Sequence, residues 1–458
     1  MSGTVIPSPP RRRGLQSLAP MFVGLFERYM PDPFVLAIGL TAVSALLALL
    51  IAPKGSPENI VGSWYAGIFA ILGFAFQMIL ILATGHALAH APVVARLLRR
   101  LVGLARTPNQ AVVLTFLVAA AASLLNWGFG LVVGAILARE AARHVRLDFG
   151  WLVAAAYSGF AVWASGISSS IALTQASHGN ALNIVEKITG GLLPLSDTVF
   201  ATFNWLPTLV IVLLMPAVFV AIRPADADVA AYVPEPEAPS PPLNQANTQS
   251  NSLARRMDRS PAGSLFLLAA GLAAVAVLRI EGKLALDVNM VILIFLIGGI
   301  ALHGNPVAYG AAMRNAARQT GGMMLQYPFY GGIMGIMSGT GLADAISKAF
   351  VAVSSAHTLP FWSYICSLII TFFVPSGGGH WAVQGPFVVP AAATLHASMA
   401  GSAMAVAMGE QVANMLQPFW ALPVVAMAGI GIQRVMGYTV VTFVVTGIIY
   451  AVSLLVLI

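Results

Sequence analysis

Cysteine and charge are what this chain has least of. Its one cysteine, Cys366, excludes an internal disulfide and a metal cluster built on thiolates. Charged residues fill 9% of the 458 positions, against roughly 25% in a soluble domain, so a soluble globular protein is excluded. The short alternating segments of an outer-membrane barrel are missing too. A net charge of +7, from 23 Lys and Arg against 16 Asp and Glu, could point to nucleic acid in a soluble protein. Here the basic residues stand in loops beside apolar segments, so they report membrane topology and no nucleic-acid partner is expected.

What is present is apolar: 58% hydrophobic residues and a mean hydropathy of +0.85. Many runs approach the twenty residues a membrane-crossing helix needs. The expected fold is an all-α polytopic membrane protein embedded in the lipid bilayer. Nine spans are read at about 34–52, 64–88, 150–172, 202–222, 263–280, 287–303, 320–340, 402–425 and 436–457. The basic Arg11, Arg12 and Arg13 resemble a signal n-region, but Glu27, Arg28 and Pro31-Asp32-Pro33 interrupt before the first long run. An uncleaved first helix is expected.

Two stretches, about 111–142 and 361–398, are too long for one crossing and broken in the middle by glycine and polar residues. Each is read as a re-entrant hairpin of two half-helices. Residues 223–262 change character and are rich in Pro, Asn, Gln and Ser, which cannot bury enough apolar area to fold. They are read as a disordered cytoplasmic linker between a first repeat, 1–222, and a second, 263–458. Trp64 aligns with Tyr309, Gln77 with Gln326, Asn126 with Ser376, Trp163 with Gln411 and Asp32 with Asp287, in order and at a nearly constant offset.

Arginine clusters at 11–13, 96–106, 139–146, 255–259 and 314–318 fit the cytoplasmic side, which puts the N-terminus inside. The extra span at 263–280 then inverts the second half. The first hairpin enters from the cytoplasm and the second from outside. Two oppositely inserted halves, each with a broken hairpin, form the architecture of a secondary transporter.

Four interrupted segments are expected to meet near the midplane: Asn126-Trp127-Gly128-Phe129-Gly130, Trp163 to Ser170, Pro375 to His380, and Gly409 to Asn414. Glycine lets backbone approach a ligand closely. The free N–H groups at a half-helix N-terminus attract an anion. Ser165, Ser168, Ser376, Asn126, Gln411 and Asn414 add neutral donors. The four segments contain no arginine, so a guanidinium clamp on a doubly charged ligand is not expected. The bland reading of glycine and serine in membrane helices is close packing, and it is the preferred one for Ser168-Ser169-Ser170 alone. Packing leaves Ser376-Gly377-Gly378-Gly379 followed by His380 and Trp381 unexplained.

Glu410 stands in the apolar run AMAVAMGEQVANM with no basic neighbour in sequence. An ionisable residue within a span is a functional candidate by default, here for coupling to an ion. The alternative is a protonated carboxyl bonded to a neighbouring helix. His380 can titrate or can be a hydrogen-bonded tip residue. His86 and His90, four apart, could share a helix face as metal ligands, but Ala87 stands where the zinc-protease motif needs Glu. No metal site and no cofactor are expected. A membrane-embedded hydrolase using Ser376 and His380 has no third orienting group in view.

At this point the sequence resembles a known family. NWGFGLVVGA, VPSGGGHW, QGPFVVPAA and GEQ followed by NMLQPFWALP resemble the bacterial short-chain fatty acid transporters of the acetoacetate-degradation type. The likeness runs from Pro31 onward, apart from the linker. It implies uptake of acids such as acetoacetate or butyrate through the bacterial inner membrane, within a wider group of ion-coupled anion transporters. That group has inverted repeats, two hairpins and often a homodimeric, elevator-like mechanism. The positions carried over are Asn126, Trp127, Gly128, Trp163, Ser168, Ser376, Gly377, Gly378, Gly379, His380, Gln384, Glu410, Gln411 and Asn414. Ala164 and Ser165 replace part of the family's glycine-richer pattern.

The expectation is therefore a symporter of small monocarboxylates with H⁺ or Na⁺, Glu410 coupling and the SGGG amides holding the carboxylate. The alternatives from other classes are the hydrolase and a passive anion channel.

Overall fold

Many helices begin with a polar residue followed by proline. Asp32, Ser56, Thr107 and Asn305 each accept a hydrogen bond from an N–H in the first turn that follows. Proline comes next, where its missing N–H has no intrahelical partner to lose. A computed structural model describes residues 31–225, 229–232, 253–417 and 419–458, and all regular structure among them is helical.

The first half runs α1 (Pro33–Ile51), α2 (Pro57–Ala70), α3 (Leu72–Ala89), α4 (Pro92–Val102), α5 (Pro108–Leu125) and α6 (Trp127–His144). Then come α7 (Phe149–Ser158), continued by a 3-10 segment (Gly159–Ser165), α8 (Ser170–Ala176), α9 (Ile184–Thr189) and α10 (Thr202–Ala221). The second half follows α11 (Leu253–Arg259) and α12 (Ala262–Ile280). It has α13 (Val288–His303), α14 (Pro306–Ala317), α15 (Gly321–Thr340), α16 (Leu342–Val353), α17 (Leu359–Ile370) and α18 (Gly377–Leu395). It ends in α19 (Met399–Ala413), α20 (Ala421–Ala428) and α21 (Gln433–Val456).

Among the described residues, 7 helices or fused helices are long and apolar enough to cross a membrane, and up to 8 if the bent pair α15 and α16 counts as one. Nine spans were expected, and the differences have local causes. The run 64–88 is divided at Ile71 (φ −107°, ψ 11°) into α2 and α3. The run 402–425 is divided after Ala413, and α13 has only 16 residues. Helix α5, the first arm of the first expected hairpin, is itself long enough to cross.

Both expected hairpin stretches are helix–break–helix. Helices α5 and α6 pack closely beside the break, where a Cβ on Gly130 would collide with Ser123. Three features differ from the expectation. Gly377, Gly378 and Gly379 form the first turn of α18 instead of a loop, and the irregular backbone precedes them. Gly409 to Ala413 stay helical, and the break follows at Asn414. The described edges of the expected linker are ordered. Ala230 is bonded to both Phe149 and Asp148, and 253–259 is helical. The basic residues 11–13 and most of the linker lie outside the described residues.

The halves interlock. Helix α1 packs on α15 and α13 packs on α3, which occupy corresponding places in the two orders. Helix α2 crosses α15 so closely that a Cβ on Gly335 would strike the backbone of Ser63 and Gly67. The hairpin arms α5 and α17 lie against the 3-10 segment and α19 respectively, and the arms α6 and α18 against α3 and α15. These contacts bring the two breaks into one buried region. The outer faces of α1, α10 and α12 stay exposed and apolar, with Leu50, Leu213 and Phe266 at 69%, 67% and 72%, as lipid-facing helices require.

Candidate binding site at the two helix breaks

The two breaks have nearly the same backbone. Asn126 sits at φ −156°, ψ 124° before α6, and Ser376 at φ −151°, ψ 118° before α18. Each residue is an extended N-cap, and the N–H groups of the three residues after it have no partner in their own helix. At the first break the protein supplies partners. Asn126 Oδ1 accepts from Phe129 N at 2.9 Å, and Ser168 Oγ from Trp127 N at 3.0 Å. At the second break Ser376 makes no side-chain cap. Its hydroxyl donates instead to the Tyr327 hydroxyl at 2.9 Å. The first bonded amide of α18 is His380 N, to Ser376 O, so the amides of Gly377, Gly378 and Gly379 are not held by a cap.

Glycine is required there for close approach. A Cβ on Gly377 would collide with Ser170 Oγ, stand 2.6 Å from Trp163 Cη2 and come within 3.3 Å of Glu410 Oε2. One on Gly378 would run into the Phe74 ring, and one on Gly379 into Tyr330. The three glycines let the helix end press into a wall of side chains from both halves.

A small cavity opens at this end. Ser376, Gly377 and Gly378 line it from the second break, with Tyr327 and Met323 from α15. Met78, Trp127, Phe160, Trp163 and Ser170 line it from the first half, and Trp420 closes it. Its free volume is about 10 Å³, room for the centre of about one water. None of the lining residues is Lys or Arg. Trp420 Nε1 donates to Pro375 O at 2.8 Å and so ties the cavity floor to the second break.

Several buried polar atoms here have no hydrogen-bond partner among the described residues. They are both carboxyl oxygens of Glu410, the indole nitrogens of Trp127 and Trp163, Ser170 Oγ and Asn414 Nδ2. Unpaired buried polar groups are rare and call for an explanation. Glu410 lies in the last turn of α19, fully buried, beside Gly377.

The other residues singled out from the sequence divide clearly. Trp127, Trp163, Ser376, Gly377 and Gly378 line the cavity. Asn126 is a satisfied cap whose Nδ2 donates to Ile81 O at 3.3 Å, and Gly128 packs on Leu82. Ser168 caps Trp127. Gln411 accepts from Ala164 N at 2.8 Å and Ser165 N at 3.2 Å, and donates to Ser165 Oγ at 2.8 Å. Gln411 and Ser165 therefore join the halves. Asn414 accepts from Gln417 Nε2 at 2.7 Å. His380 is held by Gln384 Oε1 at 2.6 Å, Ser367 Oγ at 3.3 Å and Thr371 Oγ1 at 3.2 Å, and Gln384 also donates to Ser363 O at 2.8 Å.

With His380 so engaged and Ser376 bonded to Tyr327, the Ser–His pair a hydrolase needs does not form. The rings of His86 and His90 stack at 4.6 Å, and no group of three or more metal-ligating side chains occurs among the described residues.

The sequence reading did not single out Phe160, Tyr327 and Trp420. Trp420 stands in the quoted motif NMLQPFWALP, while Phe160 and Tyr327 carry no mark that separates them from lipid-facing aromatics. In the sequence Ser170 looks like a packing serine, and the structure places it at the cavity.

Comparison with known proteins agrees with the fold and gives it a family. The short-chain fatty acid transporter family matches residues 14–457. A protein of Escherichia coli K12, assigned as a short-chain fatty acid transporter, is 40% identical over 429 residues, covering 93% of this chain and 96% of its own. A relative in Haemophilus influenzae with the same assignment is 38% identical over 432 residues, with the same coverage. Among solved structures, the YdaH transporter of Alcanivorax borkumensis superposes with a TM-score of 0.57 at 17% identity, over 92% of this chain and 98% of that one. That likeness is one of fold.

Proposed function

Because the chain belongs to the short-chain fatty acid transporter family, we propose that it is a secondary active carrier. It moves small monocarboxylates of the acetate, butyrate and acetoacetate class through the bacterial inner membrane, in symport with H⁺ or Na⁺. The observation that carries this reading is the uncapped N-terminus of α18, opening on a buried cavity beside an unpartnered Glu410.

The amides of Gly377, Gly378 and Gly379 bind the carboxylate, aided by the positive end of the helix dipole. The absence of Lys and Arg from the cavity lining favours one negative charge on the ligand over two. Ser376 and Ser170 supply hydroxyls at its edge. Trp127, Trp163, Phe160 and Trp420 receive the apolar chain.

Glu410 supplies the coupling. Two carboxylates about 4 Å apart repel by about 4 kcal/mol at an effective dielectric of about 20, roughly a thousandfold in affinity. The substrate anion therefore binds well only after Glu410 has taken up a proton or a cation. Loading of the ion and of the substrate become one event, and both leave together.

The surrounding frame follows the same logic. Residues 1–222 and 263–458 act as two oppositely inserted repeats joined by the linker 223–262, with the N-terminus cytoplasmic. The helix breaks form one site that faces each side in turn, in a homodimeric assembly.

The test is reconstitution into liposomes with labelled acetate, butyrate and acetoacetate under separately imposed H⁺ and Na⁺ gradients. The reading predicts accumulation above equilibrium under one gradient and none without it. Equilibration without accumulation under either gradient ends the reading of secondary active transport.

A further inference from the structure

The cavity wall holds a feature that the carboxylate and the ion do not use. Four aromatic rings close a circuit: Trp127 to Trp163 at 6.2 Å, Trp163 to Phe160 at 5.6 Å, Phe160 to Trp420 at 6.2 Å and Trp420 back to Trp127 at 5.4 Å. All four are at least nine-tenths buried and all four line the cavity. Trp163 and Phe160 stack nearly parallel, 15° apart, and Tyr157 stacks behind Phe160 at 6.1 Å. The stack is backed further, because Tyr157 OH donates to Asn414 O at 2.7 Å.

From this arrangement we infer that the Trp163–Phe160 stack is the length stop of the site, admitting short acyl chains and rejecting longer ones. This deepens the carrier reading and rests on it. The amides of an N-terminal turn point out along the helix axis, so a carboxylate held by Gly377 and Gly378 directs its chain away from α18. Trp163 Cη2 lies against Gly377, so the aromatic circuit begins beside the amides that hold the carboxylate. Behind it stands stacked aromatic surface anchored by a hydrogen bond, with little slack. Met78 and Met323 also line the cavity, and their flexible side chains can yield to a short guest. A close-packed interior does not admit added methylenes freely. One methylene in an apolar pocket is worth about 10–200-fold in selectivity.

Phe160 is the position to test, because its ring makes no hydrogen bond and its removal opens volume behind Trp163 without unpairing a polar group. The experiment measures kcat/KM for labelled butyrate, hexanoate and octanoate in liposomes, for the wild type, Phe160→Ala and Phe160→Leu, each checked for folding by thermal melting. The stop predicts that the hexanoate-to-butyrate ratio rises at least about tenfold in Phe160→Ala and by less in Phe160→Leu, which covers the case where alanine fails to fold. An unchanged ratio in a folded variant overturns the length stop, as does wild-type protein that moves octanoate as well as butyrate. Failure of the wild type to move any of the three acids overturns the carrier reading instead, and the stop with it.

Discussion

The two helix breaks share a backbone and differ in who satisfies it. Asn126 and Ser376 have dihedrals within a few degrees of each other. At the first break, Asn126 and Ser168 cap the amides of Phe129 and Trp127. At the second, three glycines begin a helix that Ser376 does not cap, because its hydroxyl goes to Tyr327. One break is finished by the protein. The other is left open toward a cavity with Glu410 at its side. Two breaks of similar backbone thus differ in their amides, which the protein holds at the first and leaves uncapped at the second.

The largest effect is expected from closing the approach at the second break. Gly377→Ala places a methyl against Ser170 and Trp163, and the tip must shift. A displacement of about 1 Å can cost about a hundredfold, so initial uptake rates in liposomes should fall by about that factor while the protein remains folded. Undiminished uptake would mean that the second tip is not in the site.

Next comes Glu410→Gln, which keeps shape and removes the titratable charge. Accumulation driven by the coupling gradient should vanish, with substrate exchange retained. The check is gradient-driven uptake against counterflow in the same vesicles, and intact accumulation would exclude Glu410 from coupling.

A finer change makes the second break resemble the first. Ser376→Asn supplies the cap that Asn126 provides at the other break, so it should raise KM about tenfold, near 1.4 kcal/mol, and leave thermal stability equal or higher. A KM that stays put would show that the α18 amides do not hold the carboxylate. The reverse change, Asn126→Ala, removes a satisfied cap. It should lower stability by about 1 kcal/mol with KM within about twofold of wild type. A large shift in KM would make the first break part of the binding surface.

The sequence made much of the fold readable because membrane depth punishes irregular backbone, so glycine and polar residues in an apolar run mark breaks. It marked Glu410 for the same reason. It could not divide the run at Ile71, where Gly67 and Gly73 look like the small residues common in membrane helices.

Nor could it sort three adjacent serines. Ser168 caps Trp127, Ser169 caps the start of α8, and Ser170 faces the cavity unpartnered. These assignments depend on helices that arrive from elsewhere in the chain. His380 is the converse case. Its place beside the glycines looked functional, yet Ser367, Thr371 and Gln384 occupy both ring nitrogens, and only the packed structure brings them there.

The most direct measurement is an experimental structure with a heavy-atom-labelled short-chain carboxylate bound. The account predicts its carboxylate oxygens about 3 Å from the amide nitrogens of Gly377, Gly378 and Gly379, with its chain toward Trp163. A carboxylate seated on Asn126, or outside the cavity between the two breaks, would contradict it.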